Sequence, residues 1–297
     1  MTTKPRILIL GSTGQLGREL QRSFADAGEV VALGRATIDL SRTDQLRAIV
    51  REAAPRLILN AAAYTAVDRA ESEPDLARAI NAHAPTVLAE EALRANALFF
   101  HYSTDYVFDG TKSSPWVESD ATNPLNVYGQ TKLEGEQAIQ QIGGRSLIFR
   151  TSWVYGPHGK NFLLTMLRLG SERKELRIVD DQIGAPTSSL QLADATRRVA
   201  DQLLSGRVPV ESAGIYHMTC SGSTSWCGFA RAIFEQAERL LHAPAPEVVP
   251  IPSSEFPTPA RRPAYSVLSG EKLVQTFGVR LAPWQAALEE VMARLAP

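Results

Sequence analysis

A glycine-rich loop directly behind the first apolar run constrains the fold of this chain more than any other feature. The run Arg6–Leu10 is short and apolar and stops at a glycine, as expected for a strand buried on both faces of a parallel sheet. The loop Gly11-Ser12-Thr13-Gly14-Gln15-Leu16-Gly17 follows. Residues 15–27 then carry apolar side chains at helical spacing. Strand, glycine loop and helix in this order predict the start of a βαβ unit.

The three glycines of this loop suit a bound dinucleotide. Glycine is needed where the backbone turns sharply, approaches a pyrophosphate, or lets a helix pack closely on a strand. The N-terminus of the following helix presents unpaired N–H groups and a positive dipole end to phosphates. We therefore predict that residues 11–17 contact a dinucleotide cofactor. The alternative is a purely structural turn.

The alternation of strands and helices continues through the first half of the chain. Strands are predicted at 30–33, 57–59, 98–102 and 146–150, and helices at 43–53, 75–96 and 127–142. This order predicts an α/β fold with a Rossmann-like doubly wound parallel sheet. Residues 1–150 are expected to form the dinucleotide-binding domain. Residues 151–297 are expected to form mainly a smaller, mixed α/β substrate domain, with the chain returning to the sheet around 176–205.

The segment 244–263 contains seven prolines, which forbid a helix and resist regular strand pairing. We predict an extended loop here. Because more than 30 residues with strong helix signals follow, we expect an ordered wrap rather than a disordered linker.

Charge and composition exclude several classes of function. Lys plus Arg number 31 and Asp plus Glu 32, a net charge of -1, so no basic surface for nucleic acid is expected. No apolar run approaches the length of a membrane span. Two cysteines, Cys220 and Cys227, are too few for a disulfide framework and fit a reducing compartment. We expect a soluble cytoplasmic protein, either a monomer or a homodimer.

The end of the second predicted strand bears on the choice of cofactor. An acidic residue there would bind the ribose 2′-hydroxyl of NAD, whereas an arginine accommodates the 2′-phosphate of NADP. The chain has Gly34-Arg35 and no carboxylate before Asp39. We therefore predict NADPH, with NADH weaker, and place Asp39 and Leu40 at the adenine. The alternative is that Arg35 is a solvated loop residue. The small side chains of Ala61-Ala62-Ala63 would let the cofactor lie against the backbone.

Tyr128 and Lys132 are four residues apart in a predicted helix, so they share one face and can reach one reacting centre. A free phenol has a pKa near 10, and a neighbouring ammonium lowers it. Such a pair can serve in proton transfer. Thr104, at the carboxyl end of a predicted strand, sits where α/β sheets bind ligands and could bond a carbonyl oxygen. Chance spacing is the alternative.

Several longer strings carry a resemblance to a known family. They are Asn60-Ala61-Ala62-Ala63-Tyr64-Thr65-Ala66-Val67-Asp68, Tyr102-Ser103-Thr104-Asp105-Tyr106-Val107-Phe108, Arg150-Thr151-Ser152-Trp153-Val154-Tyr155, Asp181-Gln182-Ile183-Gly184-Ala185-Pro186-Thr187 and Arg262-Pro263. With the glycine loop and the Tyr-Lys pair, they make the chain resemble the extended short-chain dehydrogenases/reductases almost end to end. The resemblance adds Tyr64, Thr65 and Tyr102 to the expected cofactor contacts.

The resemblance also implies a reaction and a substrate pocket. It implies reduction of the 4-keto group of dTDP-4-dehydro-L-rhamnose to dTDP-L-rhamnose, with Thr104, Tyr128 and Lys132 catalytic. It further implies that Thr104, Asp105, Trp153 and Arg262 contact the dTDP-sugar. Some similar enzymes pair subunits through carboxylate-bound magnesium, but this chain has Leu190 where they have Glu. We therefore predict no metal site.

Two alternatives remain from the sequence. One is another extended short-chain reductase or epimerase acting on a nucleotide sugar, or a dehydratase of the same fold. The other is a non-catalytic NADP-binding regulatory subunit that kept the fold and lost the chemistry. Intact Thr104, Tyr128 and Lys132 argue against the second.

Overall fold

The computed structural model describes residues 4–243 and 245–296, and strands and helices alternate through its first half. The strands are β1 (Arg6–Leu10), β2 (Glu29–Leu33), β3 (Leu57–Asn60), β4 (Leu98–Thr104), β5 (Ser146–Thr151), β6 (Val154–Tyr155), β7 (Glu175–Val179), β8 (Ile183–Gly184), β9 (Thr187–Ser188), β10 (Gly214–His217), β11 (Thr224–Ser225) and β12 (Glu247–Ile251).

The helices are α1 (Gln15–Ser23), α2 (Thr43–Ala53), α3 (Val67–Ala70), α4 (Pro74–Arg78), α5 (Ala84–Arg94), α6 (Val127–Ile142), α7 (Phe162–Glu172), α8 (Ser189–Leu204), α9 (Trp226–Leu241), α10 (Glu271–Phe277) and α11 (Trp284–Ala293). Within the described ranges, no helix combines the length and apolar character that crossing a bilayer requires.

Six parallel strands of the described chain form the main sheet, in the order β10-β5-β4-β3-β1-β2. β2 and β3 flank β1: the chain runs from β1 to β2 at the edge of the sheet and then crosses over β1 to β3 on its other side. Open α/β sheets bind ligands beyond the carboxyl ends of the strands where the order reverses in this way. Here that point lies at Leu10 and Asn60, which are register partners in β1 and β3. The predicted doubly wound parallel sheet is confirmed.

Helices cover both faces of this sheet because its strands are apolar on both sides. In β1, Ile7 and Ile9 belong to one apolar cluster with α1 and α8, and Leu8 and Leu10 belong to a second with α2 and α5. Alternate side chains of a strand leave on opposite faces, so a strand buried on both faces must be apolar throughout. The first cluster continues into the second half of the chain, where it includes Phe229.

The second half contributes one strand and one helix to the sheet. β10 pairs with β5, and α8 packs against α1. Within the predicted return at 176–205, α8 packs on α1, whereas β7 is not part of the main sheet. β7 pairs with β12 instead, because β10 occupies the edge of β5. The division into two domains at residue 150 stays a prediction.

The proline-rich segment contains a strand, so the predicted absence of strand pairing is wrong for β12, which pairs in parallel with β7. Pro250 is tolerated because this sheet has two strands, and the missing N–H can face away from the partner. The expected ordered wrap is present further on, where the Ala260 N–H donates to Asp68 at 3.2 Å. Pro244 lies outside the described residues.

The long helix predicted over 75–96 exists but is interrupted. A π-helical turn, Ala79–His83, joins α4 to α5. Such turns interrupt the regular hydrogen-bond ladder and are frequent at functional sites. This one carries the buried residue Asn81, whose side chain turns toward the site described below.

Candidate active site

The glycine loop lies against the carboxyl ends of β1 and β3 and leaves no room for a side chain at two of its glycines. Gly11 has a φ of +79°, and a Cβ there would lie 2.8 Å from the carbonyl carbon of Ala61. A Cβ at Gly17 would lie 2.0 Å from the carbonyl oxygen of Gly11. Gly14 caps α1 without a side-chain hydrogen bond, so the first N–H groups of the helix remain available to an anion. These features fit a dinucleotide pyrophosphate.

The non-glycine residues of the loop turn in different directions. Gln15 accepts a hydrogen bond from Asn161 Nδ2 at 2.9 Å, and Leu16 packs in the apolar core. Ser12 is buried, whereas Thr13 is exposed. A phosphate at the loop would therefore meet Gln15 and Leu16 through their backbone N–H groups.

The residues predicted to select the cofactor lie at the end of β2. Arg35 is exposed, and Leu40 is half-buried against the second apolar cluster. Asp39 Oδ1 accepts hydrogen bonds from the N–H and hydroxyl of Ser41 at 2.9 and 2.7 Å. These hydrogen bonds lower the pKa of Asp39. The positive charge of Arg35 also lowers it, but by less. Asp39 therefore remains ionised at neutral pH beside a guanidinium that faces solvent.

The segment after β3 is held in place by Asn81. The N–H of Ala61 donates to the carbonyl of Leu10 at 3.1 Å. Asn81 accepts from the N–H of Tyr64 at 2.9 Å and donates to its carbonyl at 3.1 Å. It also lies 3.2 Å from the Thr131 hydroxyl on α6. The π-helical turn thus ties the predicted cofactor loop to the helix that carries Tyr128.

Not every predicted cofactor residue presents its side chain to this loop. The Tyr64 phenol donates to Glu73 at 2.5 Å, and Thr65 is exposed. The Tyr102 phenol is in the apolar core, 2.8 Å from the Thr196 hydroxyl on α8. Tyr102 can therefore serve the site only through its backbone.

α6 presents Tyr128 and Lys132 on one face, as their spacing indicates. The helix begins at Asn126, whose side-chain oxygen accepts from the N–H of Gly129 at 2.8 Å. A Cβ at Gly129 would lie 2.2 Å from the carbonyl oxygen of Tyr106, so glycine permits this close packing. The rings of Tyr106 and Tyr128 then meet edge to face with centroids 5.8 Å apart.

The Lys132 amine is enclosed beneath this helix, and the residue is 1% exposed. Its Nζ donates to the carbonyl oxygen of Tyr102 at 2.6 Å and lies 3.0 Å from Nε2 of His101. Burial lowers the pKa of Lys132 to about 8, and the charge of Glu136 opposes this shift. The amine is thus close to the point at which it can gain or lose a proton near neutral pH.

The pKa of Tyr128 is raised to about 12, although its spacing from Lys132 predicts that the Lys132 charge lowers this pKa. Burial is the main cause, the Thr104 hydroxyl opposes it, and the Asp105 carboxyl adds to it. The Lys132 amine bonds the carbonyl of Tyr102, so its charge is not directed at the phenol. A phenol with this pKa stays protonated at neutral pH and is available as a proton donor.

Thr104 and Asp105 close the carboxyl end of β4, and both are buried. Thr104 Oγ1 accepts from the N–H of Tyr106 at 3.1 Å and donates to Asp105 Oδ1 at 3.0 Å. Oδ2 of Asp105 has no hydrogen-bond partner among the described residues. Burial raises the pKa of Asp105 to about 7, and the hydroxyls of Ser266 and Thr104 oppose this. A ligand hydroxyl that donated to Oδ2 would relieve a costly buried acceptor.

The pKa of Asp105 predicts how the stability of the protein changes with pH. The folded chain holds this proton more tightly than the unfolded chain, whose Asp pKa is near 3.9. Asp105 therefore costs stability progressively as pH rises from about 4 to about 7, by roughly 4 kcal/mol in all. We therefore compare the free energy of unfolding of Asp105→Asn with that of the natural protein, measured in urea. The difference should favour the variant more at pH 8 than at pH 5.

Asp109→Asn is the matched control, because hydrogen bonds from Thr111 and Asn123 lower the pKa of Asp109. Replacing this carboxylate should change the stability by about the same amount at pH 5 and at pH 8, because a lowered pKa confines the pH dependence from Asp109 to values below about pH 4. Equal pH dependence in the two variants would contradict the interpretation of Asp105.

Trp153, predicted to contact the sugar, is half-buried and stacks on Trp226, with ring centroids 3.5 Å apart and planes at 6°. A Cβ at Gly184 would lie 2.4 Å from the Trp153 ring, so that backbone packs closely against it. The backbone of Trp153 is left-handed, with a φ of +47°, which is rare for a bulky residue and common at functional sites. A sugar could contact only the part of the ring that these neighbours leave exposed.

Arg262, predicted to contact the substrate, is paired with Asp68. Nη1 lies 3.0 Å from Oδ1 of Asp68, and Nη2 lies 2.9 Å from Oδ2. Nη1 also donates to the Thr258 hydroxyl at 2.6 Å. Arg262 faces Tyr106 as well, which places it near the Tyr128 ring. A substrate contact would have to share the guanidinium with Asp68.

Three side chains that shape this site were not predicted to do so from the sequence: Asn81, His101 and Trp226. For His101, the available signal was its position three residues before Thr104 on one strand. Nothing in the sequence marks Asn81, because its role depends on a π-helical turn.

No group of three His, Cys, Asp or Glu side chains in the described ranges could hold a metal ion. Leu190 is fully buried in the core, and Glu289 is paired with Arg239. Glu290 accepts from Gln191 at 2.8 Å.

Comparison with known proteins identifies the family. The family described as "RmlD substrate binding domain" matches residues 5–296. A protein from Burkholderia thailandensis named dTDP-4-dehydrorhamnose reductase is 50% identical over 288 residues, covering 95% of this chain and 96% of that protein.

Solved structures agree with this match. A dTDP-4-dehydrorhamnose reductase from Clostridium acetobutylicum has a TM-score of 0.90 at 40% identity and covers 98% of this chain and 99% of its own. One from Bacillus anthracis, in complex with NADP, has a TM-score of 0.90 at 34% identity and covers 98% and 100%. With the glycine loop, Thr104, Tyr128 and Lys132 gathered at one edge of the sheet, the chain belongs to the family of the dTDP-4-dehydrorhamnose reductases.

Proposed function

We propose that this protein uses NADPH to reduce the 4-keto group of dTDP-4-dehydro-β-L-rhamnose to dTDP-L-rhamnose, the last step of dTDP-rhamnose biosynthesis. The observation that carries the proposal is the meeting of a protonated Tyr128 with Thr104 and buried Lys132 at the carboxyl edge of the sheet. Membership of the reductase family supports the choice of substrate. A cytoplasmic location and a monomeric or homodimeric state stay predictions.

Tyr128, Lys132 and Thr104 have separate roles in the proposed reaction. Bound NADPH supplies the hydride that reaches C4 of the sugar. Tyr128 donates its phenolic proton to the C4 oxygen, so the ketone becomes a secondary alcohol. Lys132, on the same helix face, would hold the nicotinamide ribose. It would also stabilise the phenolate that Tyr128 becomes, for which its amine must turn from the Tyr102 carbonyl toward the phenol. Thr104 places the carbonyl, for which its hydroxyl must turn from Asp105 Oδ1 to the substrate oxygen.

The direct test is NADPH oxidation, followed by loss of its absorbance, with dTDP-4-dehydro-L-rhamnose. We expect one NADPH consumed per sugar and dTDP-L-rhamnose as the product by chromatography. Reactions without sugar, and with the fully reduced product, are the controls. An epimerase would convert the sugar without net NADPH consumption, and a regulatory subunit would bind NADPH without turnover. Either result would replace this proposal.

Arg35 predicts the preference for NADPH. A charge-assisted contact with the 2′-phosphate is worth about 1.5–3 kcal/mol, so kcat/KM for NADPH should exceed that for NADH about 10- to 100-fold. Arg35→Ala should bring the ratio of kcat/KM for NADPH over NADH close to one. Arg56→Ala is the control, because this exposed arginine precedes β3 at the opposite edge of the sheet. An unchanged ratio in Arg35→Ala would leave Arg35 as a solvated loop residue.

Gly34→Asp combined with Arg35→Ala should invert the preference, because a carboxylate repels the 2′-phosphate. The structure adds a cost to this variant. A Cβ at Gly34 would lie 2.9 Å from Thr13 Cγ2 in the glycine loop. The double variant therefore disturbs the loop as well as the charge, and the single variant is the cleaner measurement.

A further inference from the structure

A buried histidine connects the Lys132 amine to the end of β3. His101 is 0% exposed and lies on β4, one residue before Tyr102, whose carbonyl holds the same amine. Its Nε2 lies 3.0 Å from Lys132 Nζ, and its Nδ1 lies 3.0 Å from Nδ2 of Asn60. Burial, and the charge of Lys132, hold the pKa of His101 well below its usual value, so the ring is neutral at neutral pH.

The proton on Lys132 decides how this chain of bonds is arranged. A neutral imidazole donates through one nitrogen and accepts through the other. A charged Lys132 has only donors, so Nε2 of His101 must accept. The hydrogen on Nδ1 then needs the side-chain oxygen of Asn60, so the Asn60 amide must turn over from the orientation in which its Nδ2 faces Nδ1. A neutral Lys132 can accept from Nε2–H, and Nδ1 then accepts from the Asn60 amide nitrogen. The orientation of Asn60 is thereby coupled to the charge of Lys132.

Asn60 extends this coupling to the cofactor side of the sheet. It ends β3 at the point where the strand order reverses. In the orientation that points its Nδ2 at His101, its Oδ1 accepts from the N–H of Ala62 at 3.3 Å, and turning the amide for a charged Lys132 releases this N–H. Ala62 belongs to the segment that packs on Gly11 of the glycine loop. The chain Lys132–His101–Asn60 therefore joins the amine to the backbone that would face the cofactor.

We propose that His101 is a positioning residue: it accepts a hydrogen bond from the Lys132 ammonium and holds the amine where it serves Tyr128 and the cofactor ribose. This rests on the proposed function of the site. Without His101, the ammonium keeps one protein partner, the carbonyl of Tyr102, in an environment closed to water. A buried charge with unpaired donors is costly, so the amine must then move or lose its proton.

Three substitutions separate positioning from packing. His101→Gln can place an oxygen near the position of Nε2 and reach Lys132. The Asn side chain of His101→Asn is shorter, so its amide can take the position of Nδ1 facing Asn60 but cannot reach Lys132. The ring of His101→Phe fills the space but offers no acceptor. We expect His101→Asn and His101→Phe to lose about 10- to 100-fold in kcat, the worth of one hydrogen bond to a charged group. KM for the sugar should change little, and His101→Gln should recover most of the loss.

The pH profile supplies a readout that packing alone would not move. The ionisable groups around the amine are His101 on β4, Tyr128 and Glu136 on α6, and Arg150 on β5, which pairs with Glu136. Activity should fall above about pH 8 in the natural protein as Lys132 loses its proton. In His101→Asn and His101→Phe this fall should begin at lower pH, and NADPH, titrated by its fluorescence, should bind more weakly.

Thr196→Val is the control for loss of one buried hydrogen bond, since it removes the partner of the Tyr102 phenol. It should leave kcat, the pH profile and NADPH affinity unchanged. If Gln, Asn and Phe at position 101 behave alike in all three measurements, His101 only packs and the proposal is overturned. Absence of sugar reduction by the natural protein would instead remove the proposed function, and the NADPH titrations would still test His101.

A measurement on the natural protein avoids any failure of the variants to fold. Nitrogen NMR of the ¹⁵N-histidine-labelled protein, with His101 assigned from the His101→Gln spectrum, reports which ring nitrogen carries the hydrogen. We expect the hydrogen on Nδ1 at pH 7, because Nε2 accepts from the ammonium. A hydrogen on Nε2 at pH 7 would overturn the proposal.

Discussion

Tyr128→Phe should lower kcat by about 10²–10⁴-fold, the usual contribution of general acid catalysis, and leave KM for the sugar nearly unchanged. The phenol is the proton donor in the proposed reaction, and its pKa of about 12 keeps it protonated throughout the working range of pH. The phenyl ring of the variant preserves the edge-to-face contact with Tyr106. Steady-state NADPH oxidation at saturating sugar measures the effect.

Tyr155→Phe is the control for this substitution. Tyr155 is fully buried, and its hydroxyl has no hydrogen-bond partner in the described part of the chain. Its removal should leave kcat unchanged and cost no stability. A Tyr128→Phe protein that kept the natural kcat would show that another group supplies the proton.

Glu136→Ala should lower the free energy of unfolding by about 3–5 kcal/mol, the usual cost of breaking a buried ion pair from one side. Glu136 and Arg150 are 0% and 2% exposed. Arg150 Nη2 lies 2.6 Å from Glu136 Oε2, and its Nε lies 3.0 Å from Oε1. The variant leaves the guanidinium buried with its charge unpaired, near the ring of Phe108. Urea unfolding at pH 7 measures the loss.

Glu172→Ala is the matched control, because Glu172 pairs with Arg168 on an exposed helix surface. Exposed pairs of this kind contribute about 0–1 kcal/mol. Equal losses in the two variants would mean that the Glu136–Arg150 pair is not desolvated as the structure describes. Glu136 also raises the pKa of Lys132, so its removal should move the alkaline fall in activity to lower pH.

The sequence predicted the parts of the site that depend on neighbours in the chain. Gly11 and Gly17 were predictable because a glycine loop between a buried strand and a helix has few structural uses. Tyr128 and Lys132 were predictable because helical spacing alone places them on one face. Thr104 was predictable because it ends a strand, and strand ends are where open α/β sheets bind ligands.

Other contacts could not be predicted because they join residues far apart in the chain. Arg262 meets Asp68 across 194 positions, and Trp153 meets Trp226 only after two segments of the second half pack together. The strand that contains Pro250 forms because β7 offers it a partner outside the main sheet. Local patterns carry no information about such pairings, since each depends on the path of the intervening chain.

The sequence by itself therefore determined the doubly wound sheet, the glycine loop and the Tyr128–Lys132 face, because strand and helix periodicity are local and repeat with a fixed spacing. Only the tertiary structure decided the protonation of the site. It buries Lys132 beneath α6 against the Tyr102 carbonyl and His101, lowers the pKa of Lys132, and raises those of Tyr128 and Asp105. Burial and the placement of charges are properties of the packed molecule, and they set these pKa values.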